Sequence, residues 1–257
     1  IMNNLKEVFI KNLHTINLEN KKCIVRVDFN VPLSDQNKIL DDTRIKAVKK
    51  TIDFLISKKA IVILISHMGR PKGKTDQNLS LGKIKNSIEL ILKYKILLID
   101  VKENDEIIHN SISDIKSNQI IMFENIRFNP EEETYSDKFS KYLSSFGDIY
   151  INDAFAVSHR NHSSITGIPK FIPSFMGFMM YKEYTSISKH SSQLGNNSIC
   201  IFGGAKISDK IQILNNFIGK VKYIAIGGGM IKEFANYLNS KKILKKNNMI
   251  HNILNNK

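Results

Sequence analysis

Arginine is scarce. Of 38 basic residues only five are arginines, namely Arg26, Arg44, Arg70, Arg127 and Arg160, and all fall within the first 160 positions of the 257-residue chain. Lysine has become the default surface cation. The remaining guanidinium groups then mark places where a planar, permanently charged fork grips paired phosphate or carboxylate oxygens. Cysteine is nearly missing as well. Cys23 and Cys200 lie far apart in apolar, strand-like runs, which excludes a disulfide framework and reads as two buried thiols in a reducing compartment. No long uncharged apolar run is present, so no membrane-spanning helix is expected. The opening residues Ile1–Glu7 carry no charged stretch leading into an apolar one, so no signal peptide is expected and the location is read as cytoplasmic.

Acidic residues are also few, 24 in all, leaving a net charge of +14. Such an excess suits nucleic acid, an acidic membrane surface or phosphorylated metabolites. The lysines are spread along the chain, and no aromatic–basic repeat resembles an RNA-recognition strand. Nucleic acid and membrane are therefore set aside as partners. The arginine pattern favours a basic cleft for a small, multiply anionic ligand.

What the chain does contain is an alternation of short apolar strands and helical stripes. Lys22–Phe29 reads as a buried strand and Ala60–Ser66 as a continuous β-branched run of the kind covered on both faces. Between them Thr43–Ser57 places Ile45, Val48, Ile52, Leu55 and Ile56 on one helical stripe. Further strands are expected at Lys95–Asp100, Gln119–Phe123 and Asp148–Asn152, and further helices at Ser80–Tyr94 and Ser136–Phe146. This order predicts a doubly wound parallel α/β sheet, Rossmann-like, with functional loops at the strand carboxyl ends. Gly177–Ser191 reads as a connecting helix without a clear strand before it. A second, truncated α/β domain follows, with strands at Ser198–Phe202 and Val221–Ile226 and helices at Ser208–Gly219 and from Met230. The expected division is 1–175, a hinge helix over 176–193, and 194–257. The stretch Lys241–Lys257 has five lysines and no acid.

Four loops, each after a strand, carry the chemistry. They contain Arg26-Val27-Asp28-Phe29-Asn30, then Ser66-His67-Met68-Gly69-Arg70, then Glu124-Asn125-Ile126-Arg127, then Asn152 through Ser163 with His159, Arg160 and His162. Arg44 adds its charge to a helix start that already favours anions. Arg26 is assigned to structure, because it lies inside a strand two residues before Asp28.

The motifs RVDFNVP, DDTRIKA, SHMGRP, FENIRF, NDAFAVSHRNHSS, FGGAKISDKI and IGGGM resemble the phosphoglycerate kinase family in order and spacing, over residues 5–240. The resemblance implies an N-terminal domain for 3-phosphoglycerate and 1,3-bisphosphoglycerate and a C-terminal domain for ADP or ATP with Mg2+. It implies a monomer that transfers a phosphoryl group on closure about a hinge. Carried over by position, Asp28, Phe29, Asn30, His67, Met68, Gly69, Arg70, Arg127 and Arg160 would hold the triose. Arg44 and Lys206 would steady the phosphoryl group in flight. Gly203, Gly204, Ala205, Lys206, Lys210, Gly228 and Gly229 would serve the nucleotide. Lys206 and Lys210, four apart, share a helix face.

Other patterns carry less. Gly69–Thr75 is one residue short of a P-loop, and Gly227–Gly229 lacks the third glycine of a dinucleotide fingerprint. His159 and His162 lack a third ligand, so no protein-held metal is expected. The family normally continues beyond position 257, through a glycine-rich turn with a magnesium-binding Asp. That Asp is expected to be missing here, with little turnover from this chain alone and a partial, binding-only product as the alternative. Ala156 stands where the family usually has Gly.

Overall fold

A computed structural model describes residues 13–115, 119–195, 197–205 and 210–239. The reading of Lys206, of a helix start at Ser208, of Lys241–Lys257 and of the segment before Leu13 lies outside them. The chain divides into two compact units, Ile1–Tyr184 and Thr185–Lys257.

The first unit is built on six parallel strands: β1 (Lys22–Arg26), β2 (Ile61–Ile65), β3 (Lys95–Ile99), β4 (Gln119–Phe123), β5 (Ile149–Asn152) and β6 (Ser174–Met176). Their order across the sheet is β3-β4-β2-β1-β5-β6. Successive side chains point to opposite faces, and both faces are covered. Cys23, Val25, Val62 and Leu64 pack under α1 (Thr43–Ser57) and α2 (Lys85–Leu92). Ile24, Ile63 and Ile65 pack under α3 (Asp105–Ser113) and α5 (Asp137–Ser144). The short helix α4 (Pro130–Thr134) lies between β4 and α5. Burial of Ile45, Val48, Ile52 and Leu55 fixes α1 to the sheet, each side chain contributing about 1.5–3 kcal/mol.

The observed α1 and β4 have the bounds that the sequence predicts. Strand β1 ends earlier than expected, at Arg26, though Val27 still donates to the Ile65 carbonyl at 3.0 Å before the chain turns away. The Ser80–Tyr94 helix is interrupted, a 3-10 turn at Leu81–Lys83 preceding α2. Among the described helices and strands three escape the sequence reading, the five-residue α4 being one. Helix α3 has only Ile108 and Ile112 buried, too thin a stripe to register. Strand β6 is three residues long, follows Pro173 and pairs only with β5. Helix α6 (Phe178–Ser192) begins two residues after β6 and carries the chain out of the first unit.

In the second unit, parallel strands β7 (Ile199–Gly203) and β8 (Tyr223–Gly227) pair in register. Helices α7 (Ile211–Phe217) and α8 (Met230–Asn239) supply Ile211, Leu214 and Met230 to a small core with Phe202 and Ile226 against it. The other sheet face leaves Ile199, Ile201 and Tyr223 exposed. Both cysteines are free thiols, but only Cys23 is buried; Cys200 is half-buried, because its thin two-stranded sheet cannot enclose it.

Candidate functional site

Strands β4, β2, β1 and β5 are neighbours in the sheet, and the four motif loops leave their carboxyl ends side by side. Together with the start of α1 they wall a cleft of about 250 Å³. Asp28, Asn30, Arg44, His67, Gly69, Arg70, Arg127 and Arg160 all line it, with Ala156 and Val157 as an apolar margin that the sequence reading did not assign. Ala156 has no positive φ, so a side chain at that position carries no backbone strain.

Hydrogen bonds fix several of these groups in place before any ligand arrives. Arg44 donates from one Nη1 to Asp28 Oδ2 and to the Asn30 carbonyl, both at 2.9 Å. Its side chain is 49% exposed, which leaves the rest of the guanidinium available to a ligand. Asn30 Oδ1 accepts from the Gly69 amide at 2.9 Å, and Arg127 donates to the Gly69 carbonyl at 2.8 Å. Gly69 has φ +60°, and a Cβ there would lie 2.6 Å from a Leu79 methyl, so glycine makes this turn without strain and without displacing that side chain. Asn125 joins the second loop to the third, donating to the carbonyls of Met68 at 2.7 Å and Leu79 at 2.8 Å. Among the described residues Arg70 and Arg160 carry no ion pair to protein.

Arg127 is almost fully buried, and burial pulls its pKa down against the opposing effect of Glu133. Its Nε lies 3.2 Å from Glu133 Oε1 but off the N–H axis, so the contact is an ion pair without an aligned hydrogen bond. His67 is held neutral. Burial, then Arg26, Arg127, His162 and Arg44, push its pKa down to about 2. His162, behind the same wall, is pushed down to about 4 by burial and then Arg127, Arg26 and Arg160. The approach of His67 to Asp28 at 3.9 Å and of His162 to Glu132 at 3.7 Å are therefore not ion pairs.

Two expected contacts are not brought to the cleft. Phe29 and Met68 are buried in the hydrophobic core, and their side chains are not among the residues lining it. Phe29 instead anchors its loop by donating its amide to Ser66 Oγ at 2.9 Å. For Phe29 the alternation of extended chain explains this: Val27 and Phe29 turn into the core while Asp28 and Asn30 face the cleft.

The second unit gathers its glycines. The turns after β7 and β8 meet, the Met230 amide donating to the Gly204 carbonyl at 3.0 Å. Gly228 has φ +64°, and a Cβ there would sit 3.2 Å from the Gly204 oxygen; one on Gly229 would sit 3.0 Å from the Ala205 oxygen. The Lys210 stem lies against Gly204, its Cε 3.0 Å from where a Cβ would be. Gly203 has open space around it. No group of three or more His, Cys, Asp or Glu among the described residues is placed to hold a metal, and no described helix is long and apolar enough to cross a membrane.

Comparison with known proteins agrees along most of the chain. The phosphoglycerate kinase family model matches residues 13–255. A phosphoglycerate kinase of Coprothermobacter proteolyticus is 42% identical over 226 residues, covering 88% of this chain and 57% of that protein. One from Moorella thermoacetica is 38% identical over 222 residues, covering 86% and 56%. The solved phosphoglycerate kinase of Coxiella burnetii superposes with a TM-score of 0.76 at 29% identity, covering 94% of this chain and 61% of that one. The chain thus spans little more than half the length of the curated relatives it matches.

Proposed function

This chain belongs to the phosphoglycerate kinase family, and we propose that its first unit is a triose-phosphate site and its second the start of a nucleotide site. The whole protein would move a phosphoryl group reversibly between 1,3-bisphosphoglycerate and ADP, giving 3-phosphoglycerate and ATP in glycolysis. The observation that carries this reading is the meeting of Arg44, Arg70, Arg127 and Arg160 with Asp28, Asn30 and His67 in one cleft. Four guanidinium groups, two of them already fixed by protein partners, suit a ligand with a phosphate and a carboxylate. Asp28 is an acceptor for a hydroxyl, and Asn30 and the neutral His67 recognise polar groups without adding charge.

Arg44, at the mouth of the cleft, is the group we assign to the transferring phosphoryl. Phosphoryl transfer asks the protein chiefly to align donor and acceptor and to neutralise the equatorial oxygens. Arg44 is already held by Asp28 and Asn30, so it needs little reorganisation to do so. Lys206 is proposed for the same phosphoryl group and Lys210 for the nucleotide phosphates. The bare turns at Gly203–Ala205 and Gly228–Gly229 would admit the nucleotide against backbone amides. Magnesium enters with ADP or ATP as part of the substrate. We propose a monomer acting in the cytoplasm.

Calorimetry with 3-phosphoglycerate tests the first unit. Arg44→Ala and Arg127→Ala should each weaken binding by about 10- to 100-fold, as expected for a lost charge-assisted hydrogen bond. Identical heats for wild type and both variants would rule the site out. A coupled ATP assay on the 257-residue chain distinguishes a kinase from the second reading, a partial product that only binds triose phosphate.

A further inference from the structure

Behind the cleft lies a set of polar groups that the proposed chemistry does not use. Arg26 is fully buried, as is Glu132. They are bridged by Ser164: Arg26 Nε donates to Ser164 Oγ at 2.9 Å, and that hydroxyl donates to Glu132 Oε1 at 2.7 Å. Glu132 Oε2 accepts from the Ser164 amide at 2.9 Å. Both carboxyl oxygens act as acceptors, while burial raises the Glu132 pKa against the opposing effects of Arg26 and Ser164. One guanidinium nitrogen of Arg26 is taken up by the Val27 carbonyl. The other, Nη2, lies 3.3 Å from His67 Nδ1.

We propose that Arg26 is a positioning residue that locks His67 as the Nε2–H tautomer, making it a neutral donor in the cleft. A guanidinium has five N–H groups and no lone pair, so the imidazole nitrogen facing it must accept. The other group near Nδ1, Asp28 Oδ1, is 3.9 Å away and too far to accept a proton from it. A neutral imidazole with Nδ1 accepting carries its single proton on Nε2. The same guanidinium opposes a second proton on the ring, as do Arg127 and Arg44. Glu132 and Ser164 keep Arg26 in this place from the far side. The cleft thereby gains a directional donor whose charge is constant, beside arginines whose charge is also constant. This rests on the triose-phosphate reading only for what Nε2–H donates to; the tautomer itself does not.

The test is proton–nitrogen correlation NMR on 15N-histidine-labelled full chain, with calorimetry of 3-phosphoglycerate at pH 5.5 and 8. Wild-type His67 should give the Nε2–H pattern and not titrate between those values. The double variant Arg26→Met with Glu132→Gln removes the buried guanidinium and its acidic partner together, a paired replacement that folded proteins often tolerate. In it His67 should lose the single tautomer, while burial, Arg127, His162 and Arg44 still hold its pKa below the ordinary 6.5. The variant's affinity should be about tenfold below wild type at pH 8. That gap should persist at pH 5.5, because burial, Arg127, His162 and Arg44 still keep the ring neutral. Using the ratio cancels the ligand's own ionisation. A folded double variant with His67 still locked would overturn the proposal, leaving Arg26 merely structural. If the variant does not fold, the wild-type spectrum decides, and an Nδ1–H pattern or a titration between pH 5.5 and 8 overturns it. A locked His67 in a protein that binds no 3-phosphoglycerate would instead reject the function and keep the inference.

Discussion

Gly177 lies so close to Asp153 that a Cβ on the glycine would sit 2.3 Å from the carboxylate carbon. The contact joins the loop after β5 to the start of α6. Asp153 Oδ2 accepts from Thr51 Oγ1 at 2.6 Å, and Oδ1 accepts from the Met180 amide at 2.9 Å. Thr51 Oγ1 in turn accepts from the Phe178 amide at 2.9 Å. One buried carboxylate and one buried hydroxyl thus satisfy the first free amides of the helix. The same loop goes on to supply Ala156, Val157 and Arg160 to the cleft.

Gly177→Ala should therefore destabilise the first unit. Asp153 is fully buried and tied at both oxygens, so it cannot swing aside. Overpacking of this kind costs about 1–3 kcal/mol. Urea unfolding followed by circular dichroism reads it directly, and an unchanged midpoint would contradict the contact.

Asp153 also gives stability a pH dependence. Burial raises its pKa from 3.8 to about 6, against the hydrogen bonds from Thr51 and Met180. The folded state therefore holds the proton more tightly than the unfolded one. The contribution is fully present below pH 3.8 and is lost as pH rises through about 6. Asp153→Asn should abolish this term. The unfolding free energy of wild type minus that of the variant should fall by on the order of 3 kcal/mol between pH 4 and pH 8.

His67 and His162 act with the opposite sign. Both have folded-state values below the ordinary 6.5, so the unfolded chain binds protons first. Their contribution is present above pH 6.5 and is lost as pH falls. Each gives a slope of about 1.4 kcal/mol per pH unit while only the unfolded state is protonated. Unfolding experiments on His67→Gln between pH 6.5 and 4.5 should show one such slope removed. An unaltered slope would mean that His67 is protonated in the folded protein.

The two thiols should differ in reactivity. Burial, with Asp148 nearby, pushes Cys23 up to about 12, so it presents almost no thiolate at neutral pH. A thiol reagent at pH 8 should leave Cys23 unlabelled in the native protein and label it only on unfolding, as mass spectrometry of peptides would show. Cys200, half-buried on β7, should be labelled first.

The strand-and-helix frame was legible because local pattern and tertiary burial coincide. The stripe Ile45–Val48–Ile52–Leu55 states both the helix and its buried face. Arginine scarcity likewise pointed to Arg44, Arg70, Arg127 and Arg160, whose value comes from being the exceptions in a lysine-rich chain. The partnership of Arg26 with His67 was not legible, since 41 positions separate them and only the pairing of β1 with β2 brings them together. Glu132 was hidden for a similar reason: three consecutive glutamates look like a solvated helix start, yet the middle one is fully buried. A motif names consecutive residues, whereas an extended chain sends alternate ones to opposite sides, which is why the Phe29 side chain lies in the core.

The place of β1 in the sheet has a temporal consequence. As a chain is synthesised, the segment bearing Arg26 and Asp28 emerges early, yet its neighbour β5 arrives much later; the Lys22 amide bonds a carboxylate 126 positions downstream. Contacts of such separation form slowly. Three loops of the cleft can gather once β4 is in place, but the wall carrying Arg160 must wait for β5. Capture of an anionic ligand by all four guanidinium groups would thus report a completed sheet, and a nascent chain stalled before that strand would hold an open half-cleft.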